Sequence, residues 1–203
     1  MKIVWATPTT RGIHPEVVRN IVAFDLDSQQ QQNTLILNFP QSSLISMSRN
    51  NVVRDAIAKD ADWVLMVDDD TSIKSEKFFK TMLDTAFREN APVVGLPVRL
   101  GDGSQIIYNF AHKKSYGYKN WEGELPTKPM EVDTIGTGVM LINIKWLKEH
   151  WPKAPWFHVT DTETGAFPED WNFCEQIKAK GGKIIMEPRI KTVHWKPVGL
   201  TWN

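Results

Sequence analysis

The chain has a single cysteine, Cys174, in 203 residues. No disulfide can form within it, and a reducing compartment suits it. An excess of either charge is also missing, because 24 Lys and Arg balance 24 Asp and Glu. Without a net field the chain is not expected to seek nucleic acid or a membrane surface. No apolar run comes near the ~20 residues that span a bilayer. The opening Met-Lys-Ile-Val-Trp-Ala reads straight into a strand, which leaves no signal-peptide pattern. Internal repeats and linker-like stretches are absent too. These absences predict one domain over residues 1–203, large enough for a sizeable core, in a soluble cytoplasmic protein.

What is present centres on residues 62–72, Asp-Trp-Val-Leu-Met-Val-Asp-Asp-Asp-Thr-Ser. Trp63 to Val67 form an unbroken apolar run, the pattern of a strand buried on both faces of a parallel sheet. Asp68, Asp69 and Asp70 follow at once. Three adjacent anions repel one another, so something positive is expected among them. In extended chain Asp68 and Asp70 share a side while Asp69 faces away, which makes the first pair a clamp for a hard divalent cation. The same residues also suit an acidic turn that caps the next helix.

Taken in order, Ile3–Ala6 is a strand, followed by the loop Thr7-Pro8-Thr9-Thr10-Arg11-Gly12. A helix from Pro15 to Phe24 carries Val17, Ile21 and Phe24 on one face, residues 27–33 read as a polar connector, and Thr34–Phe39 is a second strand. This β-α-β opening implies a parallel sheet. The helix Ser46–Lys59 follows, with Arg49 on its inward face beside Val52 and Val53. A buried arginine needs an anionic or aromatic partner, and Asp68 or Asp69 could serve.

Beyond the acidic triplet, Ser72 or Ser75 can cap a helix bearing Phe78, Phe79, Met82, Leu83 and Phe87. Strands are expected at Pro92–Pro97 and Ile106–Ala111, with a hairpin signal at Gly101-Asp102-Gly103. Residues 113–129 show no periodicity and read as a long loop, whose Tyr116, Tyr118 and Trp121 could stack on a sugar or seal the surface. Met130–Asp133 and Val139–Asn143 read as strands around Gly136, Thr137 and Gly138, where glycine permits close backbone approach. Trp146–Trp151 is a short helix and Pro152–Phe167 is irregular.

A last helix opens at Pro168 with Glu169 and Asp170, acids that suit its dipole. Asp170 aligns with Phe173, Cys174 and Ile177 on the apolar face, whereas Glu169 sides with Asn172 and Gln176. Lys183–Glu187 and Ile190–Trp195 are the final strands, with His194 near the end and Lys196 just after it.

Several of these stretches resemble the motifs of GT-A glycosyltransferases, enzymes that transfer sugar from a nucleotide-sugar donor. Asp68 to Asp70 resembles their Asp-x-Asp motif. Ser48-Arg49-Asn50 is similar to the Ala-Arg-Asn stretch of family-2-like members, with Ser in place of Ala. Residues 134–138 resemble the Gly-containing segment lining the donor-sugar pocket. Glu169-Asp170 resembles the Glu-Asp motif of inverting members, and His194-Trp195-Lys196-Pro197 their C-terminal histidine element. The order of parts is similar over nearly the whole chain, without any extra acceptor domain.

The resemblance implies an α/β fold with a mostly parallel, Rossmann-like sheet flanked by helices and a smaller antiparallel element toward the C-terminal half. It implies a metal site of Asp68, Asp70 and His194 for manganese or magnesium. Donor contacts would come from Thr7, Pro8, Thr9, Arg49, Asp68, Asp69, Gly136, Thr137, Gly138 and Lys196. Asp170, paired with Glu169, would be the base in an inverting transfer to a glycan, protein or lipid-linked acceptor. Three other readings compete. A haloacid-dehalogenase-type phosphatase would carry its Asp-x-Asp after the first strand. A nucleotidyltransferase on a related fold would show a glycine-rich N-terminal loop, where residues 7–12 contain one glycine. A glycan-binding module could use the nine tryptophans, but has no need of acids and a histidine at element ends.

Overall fold

The computed structural model describes residues 1–10, 12–100, 106–114, 117–162 and 165–196. The expected hairpin turn at Gly101–Gly103, Arg11, Tyr116 and Pro197 lie outside the described residues. Chain order gives β1 (Lys2–Ala6), α1 (Pro15–Gln30), β2 (Thr34–Asn38), α2 (Ile45–Ala58), β3 (Trp63–Val67), β4 (Thr71–Ile73) and α3 (Phe78–Glu89). There follow β5 (Val93–Gly95), β6 (Ile107–Lys114), β7 (Gly117–Glu122), β8 (Met130–Glu131), β9 (Thr134–Ile135) and β10 (Val139–Asn143). The chain continues with α4 (Ile144–His150), β11 (Thr160–Thr162), β12 (Gly165–Phe167), α5 (Glu169–Ala179), β13 (Ile184–Met186) and β14 (Thr192–His194).

The main sheet has seven strands in the order β2-β1-β3-β10-β5-β13-β8. Strand β3 lies parallel to β1 and antiparallel to β10, and β5 is parallel to β13. Five strands therefore run one way, with β10 and β8 reversed. The apolar run Trp63–Val67 is buried at every residue, as a strand covered on both faces must be. Its side chains alternate between two cores. Val64 and Met66 pack with Val52 and Val53 of α2 and Phe173 and Ile177 of α5, while Trp63, Leu65 and Val67 pack with Val17 and Ile21 of α1 and Phe79 and Met82 of α3. The result is a helix–sheet–helix sandwich that anchors the heads of α2 and α5 beside the end of β3.

Four local expectations are corrected. Helix α1 continues to Gln30, because Asp25 accepts from Gln29 and Asp27 from Gln31, one turn on; such pairs support helix after the apolar stripe has ended. Residues 113–129 are not one loop. Strand β7 pairs antiparallel with β6, which also pairs with β9, and the ring of Trp121 stacks on Phe110 at 5.7 Å. That strand is held by its neighbour, and Gly117, Lys119 and Glu122 on its exposed positions gave no apolar alternation to read. The irregular stretch 152–167 contains the small β11–β12 hairpin. Finally, neither Ser72 nor Ser75 caps α3, whose N-terminus has no side-chain cap. Ser72 is buried in β4, which pairs with β14.

The placement of α5 depends on Phe173, which is fully buried and stacks on Phe157 at 4.5 Å and Trp151 at 5.9 Å. Phe173→Ala should lower unfolding free energy by ~3–5 kcal/mol, the usual cost of emptying an aromatic core position. Urea titration followed by circular dichroism checks this. A loss under 1 kcal/mol would mean that α5 is held elsewhere.

Candidate active site

Ligands of open α/β sheets sit beyond the carboxyl ends of the strands, and there β3 delivers the acidic triplet. The triplet is not extended chain. Thr71 N–H donates to the Asp68 carbonyl at 3.1 Å, closing a tight turn, and Asp68 N–H donates to the Gly138 carbonyl at 3.0 Å. The extended conformation expected of Asp68 to Asp70 is thereby corrected to a turn. The three carboxylates instead have separate partners. Asp68 pairs with Arg49 at 3.1 Å, Asp69 accepts from the Thr9 hydroxyl at 2.7 Å, and Asp70 lies 3.5 Å from His194 Nε2. Arg49 supplies positive charge beside Asp68, and His194 adds one beside Asp70 only when it is protonated.

Arg49 stands one turn into α2 and is 6 % exposed. Its Nη1 also pairs with Glu169 at the head of α5. One guanidinium thus holds acids from two elements far apart in sequence. Its Nε has no hydrogen-bond partner among the described residues. Of the two ion pairs open to Arg49 from sequence, that with Asp68 is present, and Glu169 lies on the polar flank of α5 with Asn172. That flank is polar and buried, since Asn172 donates to the His158 carbonyl at 2.7 Å and seals α5 against the chain after α4.

Asp170 is desolvated, and this raises its pKa from 3.8 to about 6; Arg49 opposes the rise, while Glu169 and Asp68 add to it. Trp171 N–H donates to Oδ1 at 2.9 Å. Oδ2 packs over Gly136, where an added Cβ would sit 3.2 Å from it. That crowding is the physical reason for glycine at this position. Asn109, in the middle of β6, fixes the Gly136 segment. It accepts from Val98 N–H at 2.8 Å and donates to the Gly136 carbonyl at 3.3 Å. A polar residue within the apolar run 106–111 was the signal for Asn109, and it passed unread. The buried hydroxyl of Thr137 has no partner among the described residues, and Gly138 lies against Val98.

Two cavities flank the turn. The first, about 250 Å3, is lined by Pro8, Thr9, Ser42, Ser48, Arg49 and the acidic triplet. The second, about 470 Å3, is bordered by Gly12, His14, Asp69, Asp70, Trp195 and Lys196. Pro8, Thr9, Arg49, Asp68 to Asp70 and Lys196 therefore come together. Thr7 does not line either cavity: it is buried and accepts from the Trp5 indole at 2.9 Å. Serines 42 and 43 were not singled out from sequence, where they lacked any motif.

His194 accepts or donates at Nδ1 with the Arg99 carbonyl, 2.9 Å away, and since a carbonyl only accepts, Nδ1 carries the hydrogen. Its Nε2 then faces Asp70. The Asp70 carboxylate raises the His194 pKa above the ordinary 6.5, with help from Arg99 and against burial. Among the described residues no three His, Cys, Asp or Glu side chains cluster closely enough to hold a metal by themselves. Asp70 and His194 nonetheless form an oxygen–nitrogen donor pair with the histidine oriented from behind, the usual support of a metal-binding imidazole.

No protein-family model matches the chain, and no curated protein matches it in sequence. Solved structures are similar in fold. A197 from STIV aligns with a TM-score of 0.67 at 18% identity, over 97% of this chain and 87% of that one. UDP-glucose pyrophosphorylase from Acinetobacter baumanii gives 0.53 at 9% identity, over 96% and 88%. A Drosophila β-1,4-galactosyltransferase 7 mutant, solved with manganese, UDP-Gal and xylobiose, gives 0.51 at 12% identity, over 94% of this chain and 66% of that one. The chain thus has the mixed α/β fold expected of it, with a mostly parallel central sheet flanked by helices, shared with GT-A structures.

The raised pKa of Asp170 has a stability signature. The folded protein binds the proton more tightly than the unfolded chain, so Asp170 costs stability as pH rises from about 4 to 6, and the full cost persists above. Asp170→Asn removes that cost. It should stabilise the protein at pH 7 by on the order of 2 kcal/mol relative to its effect at pH 4. Denaturant unfolding at the two pH values checks the difference, and an equal effect at both would show that Asp170 is solvated.

Proposed function

We propose that the protein is a glycosyltransferase that moves a sugar from a nucleotide-diphosphate sugar to an acceptor hydroxyl with inversion. The observation that carries this reading is Asp170: a desolvated carboxylate packed over the Gly136 backbone, next in sequence to Glu169, which Arg49 ties to the turn that ends β3. The fold likeness to structures solved with, or named for, UDP-sugars supports the donor class.

In this reading the first cavity receives the donor nucleotide. Pro8 and Thr9 form one wall, the serines of 42–48 offer hydroxyls, and the unpaired Arg49 Nε donates to a donor oxygen. Asp70 and His194, with Asp68 alongside, would hold a manganese or magnesium ion together with diphosphate oxygens; such a set of carboxylate, imidazole and phosphate suits manganese. Bound there, the cation supplies charge stabilisation for the leaving diphosphate. Lys196, at the second cavity, adds positive charge on the same side.

Asp170 acts as general base. With a pKa near 6 it is ionised at pH 7 and still basic enough to take a proton in the transition state. The acceptor oxygen forms its bond to the anomeric carbon, the bond from that carbon to the diphosphate oxygen breaks, and the hydroxyl proton passes to Asp170. Glu169 does not share this task, because Arg49 holds it. Attack opposite the leaving group inverts the anomeric centre.

Incubation with a panel of nucleotide sugars and manganese, read by mass spectrometry, should reveal turnover of one donor to nucleoside diphosphate. Asp170→Asn should bind UDP or GDP as the parent does and slow that turnover by roughly a hundredfold to ten-thousandfold. Parental turnover in Asp170→Asn would remove the base from the mechanism. Formation of a nucleotide sugar from a nucleoside triphosphate and a sugar phosphate would favour a nucleotidyltransferase instead.

A further inference from the structure

The residue after His194, Trp195, touches both the acidic turn and the loop after β1. Trp195 N–H donates to the Asp70 carbonyl at 2.7 Å, which extends the β4–β14 pairing one step beyond His194 and Thr71. Its indole Nε1–H donates to the hydroxyl of buried Ser72 at 2.9 Å. Its ring stacks on His14 with centroids 4.4 Å apart and planes 11° from parallel, and the Lys74 ammonium lies 5.7 Å from the ring centroid. His14 in turn belongs to the loop after β1, and its N–H donates to the Asp69 carbonyl at 2.8 Å.

We infer that Trp195 is a positioning residue that latches His194 against Asp70 and ties both to the loop after β1. Three contacts of Trp195 act together. The main-chain bond sets the height of the C-terminal strand relative to the acidic turn. The indole bond to Ser72 fixes the strand's rotation, because Ser72 sits in β4 opposite Val193. The stack on His14 closes the third side, so that the wall of the larger cavity and the pair Asp70–His194 move as one body. A phenylalanine would keep the stack and the main-chain bond but lose the bond to Ser72; an alanine would lose both side-chain contacts. Because the His194 ring has, among the described residues, the bond to Arg99 and the approach to Asp70 as its polar contacts, its order depends on how firmly the strand around it is held.

The inference rests in part on the proposed metal site, so its test has an arm without metal. Diethyl pyrocarbonate labelling, mapped to His194 by peptide mass spectrometry, should run severalfold faster in Trp195→Ala than in the parent, with Trp195→Phe between them. Calorimetric titration of manganese in the presence of UDP should show affinity reduced about tenfold in Trp195→Ala, less in Trp195→Phe, while turnover at saturating manganese falls less than the affinity. Circular dichroism checks that each variant is folded, and Trp195→Phe carries the test if the alanine variant is not. Unaltered His194 labelling in both variants would overturn the latch whatever the metal does. Faster His194 labelling in the variants, with no manganese binding in the parent, would leave the latch standing and remove the metal reading instead.

Discussion

The buried guanidinium of Arg49 is the interaction on which the site depends. Asp68 closes the central strand and Glu169 opens the last long helix, 101 residues apart by their numbers, and both converge on one cation. Without it, two carboxylates would be left at the floor of the cleft beside Asp170, already desolvated. A buried ion pair adds little net stability compared with a well-packed apolar group, but removing one partner leaves the other exposed to the full cost of burial. Arg49 is therefore best understood as fixing arrangement. It holds the head of α5 at the end of β3, and Asp170 follows from that placement.

The sheet and its cores make this convergence possible. Arg49 projects from the same face of α2 that packs Val52 and Val53 against the sheet, and Asp170 leads the face of α5 that packs Phe173 and Ile177 into the same core. The two helices thus deliver their polar heads to one end of one apolar layer. Gly136 then brings main chain against the Asp170 carboxylate, and Asn109 keeps it there. Nothing larger than hydrogen fits at Gly136 without displacing one or the other.

The frame of the fold was legible because its signals were local. Buried strands announce themselves as short apolar runs, so β1, β3 and β10 stood out, and Pro15 and Pro168 marked helix starts. Elements held by neighbours were not legible: β7 has little apolar alternation and is held by β6, and β4 looks like a capping turn until β14 pairs with it. The site shows the same division. The acidic triplet, Arg49 and Asp170 could be named from motif and face. The turn that separates the three acids could not, because strand alternation assumes an extended chain and the backbone bond from Thr71 to Asp68 breaks it. Glu169 could be set on the polar flank of α5 from helix spacing, but that Asn172 and Arg49 make this flank a buried seam could not be read from it.

A double-mutant cycle on Arg49 and Glu169 tests the bridge most directly. Arg49→Met and Glu169→Gln, alone and together, are compared by denaturant unfolding at pH 7. If one cation gathers the acids, each single change should destabilise the protein, by ~3–5 kcal/mol for the arginine, and the double variant should be at least 1 kcal/mol more stable than the sum predicts. Additive effects within about 0.5 kcal/mol would contradict the account, since two residues that add independently do not hold one another in place.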